Sequence, residues 1–280
     1  MSFKTILVPV EQHDLINATM ETALVLARKF DSYIEGFALR PVVAPVMAMD
    51  IGGAFPLAEL QENDTKMASE ARSLFDGFMQ QHNVPRPERP QGTLSCGWMD
   101  GAPDGDQFVG SHGRVFDVTV LGRPGETAQS PRLSTYEACL FESGRPILLA
   151  PPTAPQKLGE NVLIAWNHST EQARANAFAM PILQGARRVT VLTVEGGSVV
   201  GPTGEQVKRH LQFNGIAAEA LTVNPGNRNA GEVILSHADQ LGCDLIVKGA
   251  YTQSRLRQMI FGGTTRHILA HTKLPVLMTH

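Results

Sequence analysis

The chain has 280 residues, of which 42% are hydrophobic and 18% charged, a balance typical of a globular protein with a sizeable core. Its formal net charge of −3 gives no electrostatic reason to bind nucleic acid or an anionic membrane. The first apolar run ends at Glu11, which is too early for a secretory signal or a membrane span. We therefore expect a cytoplasmic protein.

The predicted elements of the first half alternate between strand and helix. Residues 5–11 (TILVPVE) form a short apolar run that does not alternate with polar residues, which predicts a buried parallel strand. We predict a helix over 17–30 and a second strand over 32–39. Further strands begin at Asp117 and at Arg145, and the first of these ends in a glycine.

The second half repeats this order of elements. Ser169, followed three residues later by Gln172, has the form of a capping box and predicts where the first helix of this half begins. The matching segments are a strand at 161–167, a helix at 169–186, and strands at 188–194, 244–252 and 274–280.

Repeated strand and helix alternation predicts parallel sheets with helices on both faces. We predict an α/β protein of two tandem, five-stranded, doubly wound domains, residues 1–151 and 159–280. The linker, residues 152–158, is rich in residues that disfavour regular structure. The first half also carries an insertion near 41–63, which we interpret either as a lid or partner-facing loop or as packing over a sheet edge.

In open parallel sheets, ligands bind beyond the carboxyl ends of the strands. Asn167 could bond a ribose or a base edge, or it could simply be a turn residue. Trp166 could stack on a base or could close the core. The strand-end candidates of the second half are Ala165, Trp166, Asn167, Val194, Val223 and Gly249.

The segment after the fourth strand of the second half has a distinctive spacing. Gly249 ends the strand, Thr252 stands three positions on, and nine residues intervene before the next glycine. Glycines and free helix N-terminal amides at such a place suit phosphate oxygens. The residues that open the predicted helix are Gly262, Gly263, Thr264 and Thr265.

Three basic residues accompany this segment, and they could supply positive charge to a bound anion. Basic residues in a loop are, however, usually only solvated, and both interpretations stay open. The three are Lys248, Arg255 and Arg257.

This spacing resembles that of the universal stress protein family, whose nucleotide motif is G-x-x-G, nine residues, then G-[S/T]. Gly249 and Gly262 match the first and third glycines, Thr252 stands at the second, and Gly263 stands at the Ser/Thr position. The family's closing P-[V/I]-L strand also fits both halves, so the chain resembles a tandem member.

The resemblance implies a stress-response protein that binds ATP or a related adenine nucleotide, which Mg²⁺ could accompany. Asn167 and Glu11 stand where nucleotide-binding members usually carry an aspartate. In the first half, Gly122 and Gly125 reproduce G-x-x-G, but the segment 127–141 that follows has no glycine. We therefore expect the nucleotide mainly in the second half.

Two other functions compete with this one. The first is a nucleotide-free scaffold that keeps the fold while its loop is degenerate; the second is an enzyme, either a slow ATPase or a hydrolase. The sequence has no Walker A loop, no G-x-S-x-G elbow and no H-E-x-x-H, so we expect no catalytic residues. We also expect no metal site from Asp100, Asp104 and Asp106 or from His267 and His271.

The last strands of the two halves are expected to pair with each other. The resemblance implies that residues 147–149 and 276–278 pair, either within one chain or across a homodimer.

The three cysteines are far apart in the sequence and odd in number. This pattern predicts reduced, buried thiols and neither a disulfide framework nor a zinc site. They are Cys96, Cys139 and Cys243.

Overall fold

The computed structural model describes residues 2–41, 57–87, 92–125, 127, 129–250 and 263–280, without the side chains of 57–61. Two predicted site residues, Thr252 and Gly262, lie outside the described residues, as do the basic residues Arg255 and Arg257 and most of the insertion near 41–63. The strands are β1 (Thr5–Val10), β2 (Tyr33–Ala38), β3 (Ser95–Met99), β4 (Val118–Gly122), β5 (Ile147–Ala150), β6 (Asn161–Ala165), β7 (Arg188–Val194), β8 (Ala218–Val223), β9 (Leu245–Gly249) and β10 (Val276–Thr279).

The helices alternate with these strands, as the sequence predicts. They are α1 (Ile16–Phe30), α2 (Leu57–Gln81), α3 (Asp106–His112), α4 (Leu133–Glu142), α5 (Thr170–Gln184), α6 (Gly204–Phe213), α7 (Ala230–Gln240) and α8 (Gly263–His271), with a 3-10 turn at Gly113–Val115. No described helix combines the length and the apolar character that crossing a bilayer requires.

The ten strands form one sheet in the order β3-β2-β1-β4-β5-β10-β9-β6-β7-β8. Within each half all neighbours are parallel, as predicted for a doubly wound sheet. The two halves are joined by β5 and β10, which pair antiparallel. Because each of these strands would otherwise be an open edge, their pairing covers two sets of unpaired backbone groups at once.

The register of the central pair places Leu148 opposite Leu277, with Ile147 opposite Met278 and Leu149 opposite Val276. All six side chains are fully buried. The pairing of 147–149 with 276–278 within one chain, one of the two expected arrangements, is therefore confirmed.

Two apolar layers sandwich the sheet. One contains Leu24 of α1, Phe75 of α2 and Ile182 of α5. The opposite layer contains Tyr136 of α4 and Ile268 of α8. Both faces are therefore covered by helices, which leaves the rims formed by the strand ends as the places where a ligand can reach the backbone.

The predicted capping box of α5 is only half formed. The hydroxyl of Ser169 accepts from the backbone N–H of Gln172 at 3.1 Å. The Gln172 side chain is fully buried and turns to β9 instead, where its Oε1 accepts from Gly249 N at 2.7 Å and its Nε2 donates to Val247 O at 3.2 Å. The predicted helix start is confirmed, since Ser169 is the N-cap of α5, but the reciprocal bond of the box is absent because the Gln172 side chain bonds to β9.

The cysteines are free and buried, in agreement with the prediction. Burial raises the pKa of Cys243 to about 11 and raises the pKa of Cys139 further still. Since the thiolate is the reactive form, neither thiol is poised for nucleophilic chemistry near neutral pH.

We expect Leu277→Ala to destabilise the protein by about 2–5 kcal/mol, because it opens a cavity in the strand pair that joins the halves. Val200→Ala is the control, since Val200 is exposed and should change stability by less than about 0.5 kcal/mol. Urea unfolding of both variants measures the difference. Equal urea midpoints for the two variants would contradict the central role of the β5–β10 strand pair.

Candidate functional site

The topology brings the strand-end candidates of the second half to one rim. Ala165, Val194, Val223 and Gly249 end β6, β7, β8 and β9, and these four strands are consecutive in the sheet. Ala165 and Val194 are buried and Val223 is half-buried, so the first two offer a ligand mainly their backbone.

Gly249 is required by the packing of α5 on β9. A Cβ at this position would lie 2.3 Å from the backbone nitrogen of Gln172 and 2.5 Å from the carbonyl carbon of Glu171. No side chain fits there without moving the first turn of the helix. The first glycine of the motif thus has a structural reason that is independent of any phosphate.

Trp166 packs in the core, which is the second of the two interpretations that the sequence left open. Its side chain is 5% exposed, and its indole N–H donates to the carbonyl of Pro202 at 2.8 Å. Stacking of this ring on a base would require it to leave the apolar layer. We therefore correct the expectation that its side chain contacts a ligand.

Asn167 acts as a turn residue at the start of α5. Its Oδ1 accepts from the Ser169 hydroxyl at 2.8 Å and from the Ser169 amide at 3.3 Å. Its backbone carbonyl accepts from Val199 N at 3.1 Å. The turn is therefore built by this side chain, and a bond from it to a ribose or base stays a prediction.

His168 is a strained residue that the sequence reasoning missed. Its φ of 68° lies in the left-handed region, and its Nδ1 lies 2.9 Å from the carbonyl oxygen of Val199. Gly201 packs so closely that a Cβ there would lie 2.6 Å from the His168 carbonyl oxygen. The loop after β7 thus folds over the turn that leads into α5.

The N-termini of α7 and α8 lie side by side at the same rim. A Cβ on Gly231 would lie 2.8 Å from the carbonyl oxygen of Thr264, and one on Gly263 would lie 3.1 Å from Nδ2 of Asn229. Asn229 caps α7 by accepting from Gly231 N at 2.7 Å. Two helix dipoles therefore direct partial positive charge toward one place; α8 has no acidic residue in its first turn, and α7 has the exposed Glu232 in its own.

The two threonines of α8 differ in access. Thr264 is half-buried, whereas Thr265 is 3% exposed. Of the two, Thr264 is the better placed to present its hydroxyl to a ligand at the helix start.

Lys248 is buried, which corrects the interpretation of this residue as a solvated loop lysine. Its side chain is on β9, the residue is 6% exposed, and Nζ donates to the carbonyl of Gly249 at 2.8 Å. Burial lowers its pKa to about 8. Within the described ranges no carboxylate forms an ion pair with it. The apolar pattern of the sequence did not predict this burial, because a lysine that precedes a glycine is typical of the start of a loop.

The first half fills the equivalent rim with its own chain. A Cβ on Gly122 would lie 2.6 Å from Cγ of Pro131 and 3.0 Å from Cε1 of His13. Arg132 donates to the Glu11 carboxylate at 3.0 Å, and burial raises the pKa of Glu11. A ligand here would have to displace this loop, and the expectation that the second half is the better binding site stays a prediction.

The G-x-x-G loop of the first half also contacts the second half. Arg123, which follows Gly122, donates to the carbonyls of Ala270 at 2.7 Å and Thr272 at 3.2 Å, at the end of α8. A guanidinium at a helix C-terminus satisfies orphan carbonyls and favours the dipole. The loop therefore holds the far end of the helix whose N-terminus lies at the candidate site.

The candidate metal residues engage in other contacts. Asp100 pairs with Arg72 at 2.6 Å, and Asp104 pairs with Arg40 at 2.6 Å. His267 and His271 stack with ring centroids 4.3 Å apart. Among the described residues, no group of three or more acidic, histidine or cysteine side chains is placed to hold a metal.

Comparison with known proteins supports the sequence resemblance. Residues 160–280 match the profile of the universal stress protein family. Universal stress protein Slr1230 of Synechocystis is 27% identical over 58% of this chain and 57% of its own length. Stress response protein NhaX of Bacillus subtilis is 38% identical over 47 residues, which cover 17% of this chain and 28% of NhaX. The chain thus spans a little over half of the first relative and less of the second.

The fold has solved counterparts of similar length. A universal stress protein from Archaeoglobus fulgidus superposes with a TM-score of 0.74 at 14% identity, covering 99% of this chain and 97% of that one. A structure described as a putative universal stress protein from Pseudomonas aeruginosa gives 0.56 at 14% identity, over 99% and 93% of the two chains. At these identities the likeness concerns the fold alone.

We expect Gly249→Ala to destabilise the protein by about 1–3 kcal/mol, because the added methyl group overlaps the first turn of α5. Gly77→Ala is the matched control. Gly77 lies on the exposed side of α2 with open space around it, so alanine should be neutral or stabilising by up to about 1 kcal/mol. Urea unfolding compares them, and an equal response would refute the packing role.

We expect stability to fall as the pH drops from 6.5 to about 4, partly because of His13. Burial lowers the pKa of His13 from 6.5 to about 4, although the Asp14 carboxylate opposes the shift. The unfolded chain therefore takes up a proton at a higher pH than the folded chain, and stability present above pH 6.5 is lost through this window.

His13→Asn should make this decline shallower. The Nδ1 of His13 accepts from Leu15 N at 3.0 Å, and an asparagine oxygen can accept from the same amide without titrating. Urea midpoints at several pH values between 4 and 7 measure the slope. An unchanged slope in the variant would contradict this source of acid sensitivity.

Proposed function

Because this chain belongs to the universal stress protein family, we propose that it is a stress-response protein that binds an adenine nucleotide, such as ATP, at the rim of its second half. The observation that carries the proposal is the meeting of the α7 and α8 N-termini beside four adjacent strand ends. The amides that open α8, together with the two helix dipoles, are of the kind that binds phosphate oxygens without needing a charged side chain.

In this proposal the phosphates lie at the start of α8, on the amides of Gly263, Thr264 and Thr265 and the hydroxyl of Thr264. The remainder of the nucleotide extends along the ends of β6, β7 and β8. The strand-end backbone at Ala165, Val194 and Val223 then supplies the contacts, since two of these side chains are buried.

Mg²⁺ would enter with the nucleotide and would be coordinated chiefly by its phosphates, as is common for this ion. We assign no protein ligand to it. We likewise assign no catalytic residue, so the expected output is conformational: the bound nucleotide stabilises the arrangement of α7, α8 and the rim.

A nucleotide-free scaffold is the second candidate, and one observation favours it. Asn167 occupies the position where nucleotide-binding members usually carry an aspartate, and its oxygen is engaged by Ser169. A neutral side chain engaged in this way offers less to a ribose than a free carboxylate does.

Titration of the purified protein with ATP, ADP and AMP tests the two functions. A ligand that binds only the folded state raises its melting temperature, and calorimetry then gives the stoichiometry. We expect stabilisation and about one nucleotide per chain, since the first-half rim is filled by Pro131 and His13. No shift at millimolar nucleotide would reject binding and favour the scaffold.

Gly263→Asp should weaken nucleotide binding by at least about tenfold, because it places a negative charge where the phosphates are expected. The fold should persist, since an acidic residue in the first turn of a helix is favourable to the dipole. Gly263→Asn is the matched control of the same size without the charge, and it should retain more affinity. Binding that is equal in both variants would mean that the phosphates lie elsewhere.

A further inference from the structure

The buried ammonium of Lys248 is an anomaly that the fold does not require. The two halves can be aligned on their fourth strands, where DVTVLG of the first half matches DLIVKG of the second. Leu121 then occupies the position of Lys248, and it is equally buried at 6% exposure. The same architecture is therefore stable with an aliphatic side chain at this place.

The position of Lys248 points to the candidate site. Side chains alternate along β9, so Lys248 shares a face with Ile246 and Ala250, which pack in the layer that contains Ile268 of α8. Its Nζ contacts the carbonyl of Gly249, at the carboxyl end of the strand. The ammonium thus lies at the second-half rim, on the side of the sheet that α8 covers.

No described charged side chain compensates Lys248. The elements that share its layer on this side carry few acidic residues: β6, β10 and α8 have none, and Glu232 and Asp239 of α7 are exposed. Desolvation is the one cause of its lowered pKa. A buried cation whose one described partner is a backbone carbonyl is costly unless an anion joins it.

We propose that Lys248 is the counter-charge for a phosphate group of the ligand bound at the second-half rim. The site would therefore select phosphorylated ligands over the corresponding nucleosides. This inference rests on the proposed nucleotide site and specifies how that site recognises charge. It also explains why the lysine occurs in the second half, whereas the first half, with its filled rim, has a leucine.

The role of Lys248 has a proton-linked consequence. Free of ligand, the lysine is partly neutral near pH 8.5, since burial lowers its pKa to about 8. A bound phosphate favours the charged form and raises that pKa. Binding at this pH should therefore be accompanied by uptake of a proton.

The test compares wild-type protein with Lys248→Leu, which installs the residue that the first half has at this position. Calorimetry at pH 8.5 in two buffers of different ionisation enthalpy measures the affinities for ATP, AMP and adenosine together with the proton uptake. We expect the variant to bind ATP at least about tenfold more weakly, to lose proton uptake and to discriminate less against adenosine. Leu121→Met, a volume-conserving change in the first half, should alter none of these quantities.

The outcomes separate this inference from the proposed function. If wild type and Lys248→Leu bind ATP equally and take up equal numbers of protons, the role of Lys248 is rejected while nucleotide binding stands. If the wild type binds no nucleotide, the proposed function fails, and inorganic pyrophosphate becomes the probe. NMR titration of the Lys248 side-chain carbon signals then decides: a pKa that rises with pyrophosphate supports an anion site of another kind, and an unchanged pKa rejects it.

The NMR titration still gives an answer if the Lys248→Leu variant does not fold. It is performed on the wild-type chain, so it reads the charge of Lys248 directly. If the signal of Lys248 does not respond to ATP that calorimetry shows to be bound, the inference is wrong whatever the variant does.

Discussion

The antiparallel pairing of β5 with β10 is the constraint on which the rest of the molecule depends. Each half ends in a strand that would be an exposed edge, and the pair converts two five-stranded sheets into one sheet of ten. Its side chains, centred on Leu148 and Leu277, are fully buried between the two helical layers. The pairing also brings Arg123 of the first half to the end of α8, so the helix at the candidate site is held from the other half.

The two halves share an architecture and differ at their rims. In the first half, Pro131 and His13 fill the space above Gly122, and Arg132 neutralises Glu11. In the second half, the corresponding rim has two helix N-termini and the buried Lys248, whose Nζ donates to the carbonyl of Gly249. Among the described residues, the first rim thus pairs its charged groups internally, whereas Lys248 of the second rim has no carboxylate partner. This difference is the basis of the proposal that a ligand binds at the second half.

Residues that the sequence singled out around the second-half rim have structural roles. Gly249 is a glycine because the first turn of α5 leaves no room for a Cβ, and Gln172 secures that contact with two hydrogen bonds. Trp166 anchors the loop after β7 through the carbonyl of Pro202. Packing and local hydrogen bonds thus account for these residues, and Asn167 likewise builds the turn before α5 by accepting from Ser169.

The sequence by itself determined the alternation of strands and helices, the internal repeat and the position of the strand ends. These depend on local apolar runs and on residues such as Ser169 that act on their immediate neighbours. Tertiary structure decided what happens to individual side chains. It turned Gln172 from its own helix to β9, placed Trp166 in the core and buried Lys248, because each outcome depends on an element distant in the chain. The same holds for Gly122, whose rim is closed by a loop that no periodicity could reveal.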